Sequence, residues 1–145
     1  MKKGFTIIEL LIVLAMLGIM AGFTLLRVTG GQAAARDARR QSDIRQFQNA
    51  VESYANANNG VFPDGNPTVN AISLCGGSNP LGNVPCTDDP TTTNHYSYST
   101  NAANTQYVIW GTLEKPIPAQ IYFVCSNGST GTRAATTAIN NGTCP

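Results

Sequence analysis

The chain predicts an α+β fold, with a long N-terminal α-helix laid on a small antiparallel β-sheet. Three observations carry that reading. Residues Phe5 to Leu26 form an apolar run in which Glu9 is the one ionisable side chain. Ile44, Phe47, Val51 and Tyr54 follow at spacings of three and four, the stripe of an amphipathic helix. From Tyr96 onward, aromatic and β-branched runs alternate with turn residues, the pattern of a strand meander. The expected organisation is a leader at 1–4, an apolar membrane-spanning helix at 5–26, an amphipathic continuation at 27–58 and a globular head at 59–145.

The apolar run comes first. At 1.5 Å per residue its 22 residues make a helix of about 33 Å, enough to span a bilayer core. A secretory signal has a shorter apolar core, about 7–15 residues, before a small-residue cleavage site. Ala33-Ala34-Ala35 offers such a site, but the run is too long for the pattern. A plain anchor fits the length and leaves Glu9 unexplained, because a lone carboxylate at mid-helix costs about 2.5–3.5 kcal/mol, less near the interface. A cut between Gly4 and Phe5 supplies the reason. It frees an α-amino group that is cationic at neutral pH for much of the time, and Glu9 lies one turn further along the same helix face. The two charges can pair within a molecule, where the helix N-terminus also favours an anion, or between neighbouring molecules. Pairing between molecules sets axial register, since a slip leaves a buried charge unpaired at a cost of about 3–5 kcal/mol.

Beyond Arg27 the helix is expected to continue. Arg36, Asp37, Arg39, Arg40, Asp43 and Arg45 form a mostly basic band on the faces away from the apolar stripe, read as a solvated face with local charge pairs rather than an anion site. Glycines 18, 22, 30 and 31 each lower helix propensity by about 1 kcal/mol relative to alanine and mark places for local melting. Gly18 and Gly22 are also a small-xxx-small pair that lets helices approach closely in lipid. Asn58-Asn59-Gly60 ends the helix, and Pro63 prevents its continuation.

The head begins with a stretch from Pro63 to Asn94 that reads as one long loop, rich in Pro, Asn, Gly, Asp and Thr, and braced because Cys75 and Cys86 stand within it. Strands are expected at Tyr96–Tyr98, Tyr107–Trp110, Ile121–Cys125 and Arg133–Ile139, with turns at Glu114-Lys115-Pro116 and Asn127-Gly128. The sheet covers the helix stripe. Four cysteines outside a membrane point to two disulfides in an oxidising compartment. The favoured pairing is Cys75 with Cys86 and Cys125 with Cys144, with the other two connectivities left open; closing the C-terminal loop contributes about 3 kcal/mol in the loop-entropy treatment.

Composition narrows the function. With the helix set aside, a small single domain remains, which excludes a large enzyme core. Without Lys2 and Lys3 the side chains sum to seven basic against eight acidic, so nothing demands a polyanionic partner. Between Gly60 and Pro145 the charged residues are Asp64, Asp88, Asp89, Glu114, Lys115 and Arg133, a low surface charge that suits dense packing of like subunits. Lys115 and Arg133 alone do not make the basic, aromatic patch that nucleic-acid capture needs. Asp88, Asp89 and His95 are the sole cluster resembling a metal or acid–base site; Asp-Asp-Pro reads as a turn and His95 as a loop residue. No nucleophile elbow is present, and the cysteines lack the paired C-x-x-C spacing of a zinc site. No enzymatic activity, metal or cofactor is expected. Asn127-Gly128-Ser129 and Asn141-Gly142-Thr143 match the N-glycosylation triplet and receive no role.

The succession Lys2-Lys3-Gly4-Phe5-Thr6-Ile7-Ile8-Glu9 resembles the type IV pilins and the related pseudopilins of type II secretion and competence systems. The resemblance covers Met1 to about Pro63. It implies that a prepilin peptidase removes Met1 to Gly4 and methylates the amine of Phe5, and that Glu9 acts in assembly. It implies a single-pass precursor in the cytoplasmic membrane that an assembly ATPase and a platform protein draw into an extracellular filament of like subunits. A major pilin is the leading reading; a minor pilin, a pseudopilin or an adhesive or DNA-uptake tip are the alternatives. Tyr54 to Gly65 is similar to the helix-end segment of major pseudopilins, where an aromatic-proline pair tucks the chain back under the helix. The sequence departs from the pattern at two places. Leu26 stands where many pilins have proline, and Gly128 to Pro145 has none of the carboxylates with which major pseudopilins hold calcium.

Overall fold

The computed structural model describes residues 4–136, 139 and 142–144, and the backbone alone for 23–30. One helix, α1 (Ile7–Ala57), carries 51 residues without interruption, so the four glycines do not break it. Among the described residues no helix is long and apolar enough to cross a membrane. The last part of the expected span, from Phe23, lies outside the described side chains. The helix ends as the sequence predicts: Asn59 and Gly60 take positive φ of 57° and 80°, and the Gly60 N–H donates to the Ala55 carbonyl at 2.8 Å.

Five strands follow, β1 (Val69–Asn70), β2 (Ser97–Thr100), β3 (Tyr107–Thr112), β4 (Gln120–Cys125) and β5 (Thr130–Ala134). They pair in chain order as an antiparallel meander, with Val69 opposite Tyr98, Tyr98 opposite Ile109, Ile109 opposite Val124 and Phe123 opposite Gly131. Two expectations need correction. The stretch from Pro63 to Asn94 is not one loop, because Val69-Asn70 adds an edge strand and Ala71–Leu74 a 3₁₀ turn whose Ala71 and Leu74 are buried. The last strand begins at Thr130 rather than Arg133, since the Asn127-Gly128 turn returns the chain at once beside β4; Thr137 and Ala138, within the expected strand, lie outside the described residues.

Alternation along the strands sorts the side chains between two faces. Tyr98, Tyr107, Ile109, Tyr122 and Val124 meet the helix stripe of Ile44, Phe47 and Val51 in the main core. Val108, Ile121, Phe123 and Cys125 form a second cluster on the other face with Ile139. Phe62 packs edge-on to Tyr107 with ring centroids 4.6 Å apart, and the buried Pro63 accepts a hydrogen bond from the Tyr98 hydroxyl at 2.8 Å, which draws the chain back under the helix. The structure contains the Cys75–Cys86 and Cys125–Cys144 disulfides. The first braces the connector, and the second ties the C-terminal tail to the end of β4.

Two glycines permit close approaches. Gly142, at φ 64°, lies against the backbone of Asn101 and Thr100 and donates to Ser99 Oγ at 3.3 Å. Gly111 lies on the helix-facing side of β3, where an added Cβ would stand 2.8 Å from the Tyr96 ring and 3.1 Å from Ile44 Cδ1. Helix and sheet can meet there only without a side chain. Gly111→Val is therefore expected to lower stability by about 1–3 kcal/mol or more; an unchanged urea midpoint for the detergent-solubilised chain would contradict this packing.

Candidate functional site

The N-terminal half of α1 presents exposed oil with one carboxylate. Thr6 sits before the helix in extended backbone, and its carbonyl accepts the N–H groups of Glu9 and Leu10 at 3.1 and 3.3 Å. Thr6 and Glu9 have the spacing of a capping box, a sequence signal additional to the charge argument. In the structure the Thr6 hydroxyl donates to Glu9 Oε2 at 3.5 Å instead of either side chain capping the backbone. Glu9 is thereby held in the first turn, where the helix dipole favours an anion. Every large apolar side chain from Phe5 to Met20 is at least 48 % exposed, and Phe5 is 84 % exposed. A continuous apolar surface of that extent marks an interface with lipid or protein. Gly4, Phe5 and Glu9 thus stand together at one accessible end, while Met1 to Lys3 of the expected leader lie outside the described residues.

The C-terminal half of α1 holds the head, and here the reading of a solvated basic face is overturned. Arg40 is fully buried. Its guanidinium donates to both Asp89 oxygens at 2.7 and 2.9 Å, to Asp37 at 2.7 Å, to Glu114 at 2.8 Å and to Thr91 Oγ1 at 3.2 Å. Arg36 makes a second bidentate pair with Glu114 at 2.7 and 2.5 Å. Asp37 also accepts the backbone N–H groups of Glu114 and Lys115, both at 2.9 Å. Asp43 accepts from the buried Tyr96 hydroxyl at 2.9 Å and meets Arg39 at 3.7 Å. Arg45, at the surface, lies over the Tyr122 ring. No buried side-chain polar atom among the described residues lacks a partner. The network bolts helix, connector and β3–β4 loop together at one level of the helix.

The physical reason is the scarcity of charge in the head. A buried guanidinium needs carboxylates, and two of the head's four acids, Asp89 and Glu114, are drawn to it. That scarcity, with Arg36, Asp37 and Arg40 spaced three and four apart, is the signal by which sequence could have located the cluster. Hydrogen bonds from Arg36, then Arg40, hold the Glu114 carboxyl down to about 2. Burial works to raise Asp89, but the bonds from Arg40 and Thr91 together hold it below the usual range. The Asp88, Asp89 and His95 cluster does not converge: Asp89 turns inward to Arg40, while Asp88 pairs with the exposed His95 at 2.7 Å. Among the described residues no group of three ligating side chains could hold a metal.

Residues 1–25 match the family model described as the prokaryotic N-terminal methylation motif. The chain is also similar to the type II secretion system core protein G of Vibrio cholerae serotype O1, 30 % identical over 71 residues, which are 49 % of this chain and 48 % of that protein. It thus spans about half the length of that curated relative. No solved structure matches. The motif, the similarity and the pilin-like α+β fold support a type IV pilin or pseudopilin.

Two outcomes test the cluster. Arg40→Ala leaves buried carboxylates without their cation and is expected to destabilise the head by about 3–5 kcal/mol; a thermal midpoint equal to the parent's would refute the bolt. Because the Glu114 carboxyl is depressed, its contribution is complete above the unfolded value of 4.5 and is lost as pH falls toward about 2. The thermal midpoint followed by circular dichroism should fall across that window, and Glu114→Gln should flatten the fall.

Proposed function

We propose that the chain is a prepilin whose mature form, beginning at Phe5, is a structural subunit of a type IV pilus-like filament. The observation that supports this best is the exposed apolar half of α1, with Glu9 as its one carboxylate a turn from the residue that cleavage would make N-terminal. A prepilin peptidase cuts after Gly4 and methylates the Phe5 amine. The membrane stores the subunit through residues 5–26 until an assembly ATPase and platform protein extract it, and residues 59–145 remain outside as the head. During docking the Phe5 ammonium of one subunit meets Glu9 of another, and the apolar helices form the filament core. The extracellular fibre presents the weakly charged heads, and no nucleic-acid partner, cofactor or catalytic step is involved.

A second reading has a specific observation behind it. Similarity to a core protein of type II secretion favours a pseudopilin of such a system. The absence of Asp and Glu from Gly128 to Pro145 weighs against a calcium-braced member of that class. Abundance separates the two, because a major pilin dominates isolated surface fibres.

Glu9→Ala is expected to leave cleavage intact and to abolish incorporation, so sheared fractions should hold no mutant subunit; parental fibre yields would defeat the charge-pairing mechanism. Gly4→Asn should accumulate the longer precursor. Mass spectrometry of sheared fibres should find material that begins at a methylated Phe5, and a start at Met1 or beyond Ala35 would overturn the processing.

A further inference from the structure

The most exposed large apolar side chain of the whole described molecule is not on the apolar helix. It is Ile117, 89 % exposed, in the β3–β4 loop. The stretch Lys115-Pro116-Ile117-Pro118-Ala119 is exposed throughout and contains one charge. Two prolines restrict the backbone on either side of Ile117, which limits the entropy lost in holding it out. The loop is anchored, since Asp37 takes the N–H groups of Glu114 and Lys115 and two arginines hold Glu114.

Its direction follows from contacts along β3. The Tyr107 hydroxyl donates to Glu52, Gly111 lies against Ile44, and Glu114 bonds Asp37. The strand therefore runs antiparallel to α1, toward the apolar half. From Tyr107 to Glu114 it advances about 23 Å at about 3.3 Å per residue, and Glu52 to Asp37 is about 22 Å of helix, so the strand is nearly parallel to the helix axis. Three further residues carry Ile117 as much as about 10 Å beyond Asp37, about level with Gly30-Gly31 of the helix backbone. The apolar run ends at Leu26, and the headgroup layer occupies about 5–7 Å outside the hydrocarbon. At full reach that level falls in the headgroup layer.

We infer that the Pro116-Ile117-Pro118 tip is a foot that rests in the lipid headgroup layer while the subunit waits in the membrane, and that it leaves the lipid on extraction. The inference rests on residues 5–26 spanning the bilayer. The occupant is lipid rather than a second subunit because the tip's level lies about one headgroup thickness beyond the end of the apolar run. The foot and the helix together give the stored subunit two contacts with the bilayer, which fix the tilt and rotation of the head before docking.

Tryptophan quenching tests this in the full chain, with Trp110→Phe removing the native indole, reconstituted in phosphatidylethanolamine–phosphatidylglycerol vesicles. Ile117→Trp should lose fluorescence to lipids carrying a quencher near the headgroup and shift to the blue. Ala103→Trp, in the β2–β3 connection at the opposite end of the head, controls for the interfacial preference of indole itself and should be unaffected. Ile12→Trp should be quenched by lipids labelled deep in the chain. Quenching at 12 and none at 117 overturns the foot alone, and so does shielding of 117 that arises only in sheared fibres, which would assign the tip to a neighbouring subunit. No deep quenching at 12 overturns the membrane reading and the foot with it. Equal quenching at 103 and 117 overturns the orientation.

Discussion

A single buried guanidinium organises the head. Arg40 lies where helix, connector and β3–β4 loop converge, and each contributes a carboxylate to it. Taking a cation out of water is expensive, so the site is tolerable only when all three carboxylates arrive together. The cluster therefore selects one arrangement of segments whose apolar contacts alone leave more freedom. Below it the Tyr96 hydroxyl on Asp43 continues the same logic toward the main core. Polar fixing at one level and aromatic packing at the next leave the head little room to pivot on α1.

The other half of the helix obeys the opposite rule. Its apolar side chains stand exposed in the isolated chain, and the one acid among them sits where the helix dipole favours it. The division falls between Leu26 and Arg36. One part of α1 is covered by the head of the same molecule, and the other, from Phe5 to Met20, stands exposed. An uninterrupted helix links the two.

How far the sequence could be read depended on whether a residue's partner was local. The helix stop at Asn59-Gly60 and the stripe of Ile44, Phe47 and Val51 were legible because they depend on backbone preference and periodicity, which reside in neighbouring residues. The aromatic strands were legible for the same reason. Arg40 was not, because its partners Asp89 and Glu114 are far along the chain and a helical arginine beside Asp37 and Asp43 has the ordinary signature of a wet face. Val69-Asn70 was hidden because two residues carry no alternation, and only pairing with Ser97 and Tyr98 makes them a strand. The start of β5 is not legible in sequence because Thr130-Gly131-Thr132 is weak by composition; its place is set by the Asn127-Gly128 turn and by the Phe123 ring over Gly131.

The C-terminal tail gives the head a dependence on the order of synthesis. The outer face of the sheet, Val108, Trp110, Ile121 and Phe123, is covered by Ile139 and secured by Cys144. Translation proceeds from the helix, so α1 is made before the strands of this face, and the strands before Ile139 and Cys144, which cover and secure it. Until Cys144 has joined Cys125, the residues that cover that face are not tied to it. A chain made only as far as β5 therefore carries an apolar flank, and any oxidant that joins the two thiols has its greatest leverage in that interval.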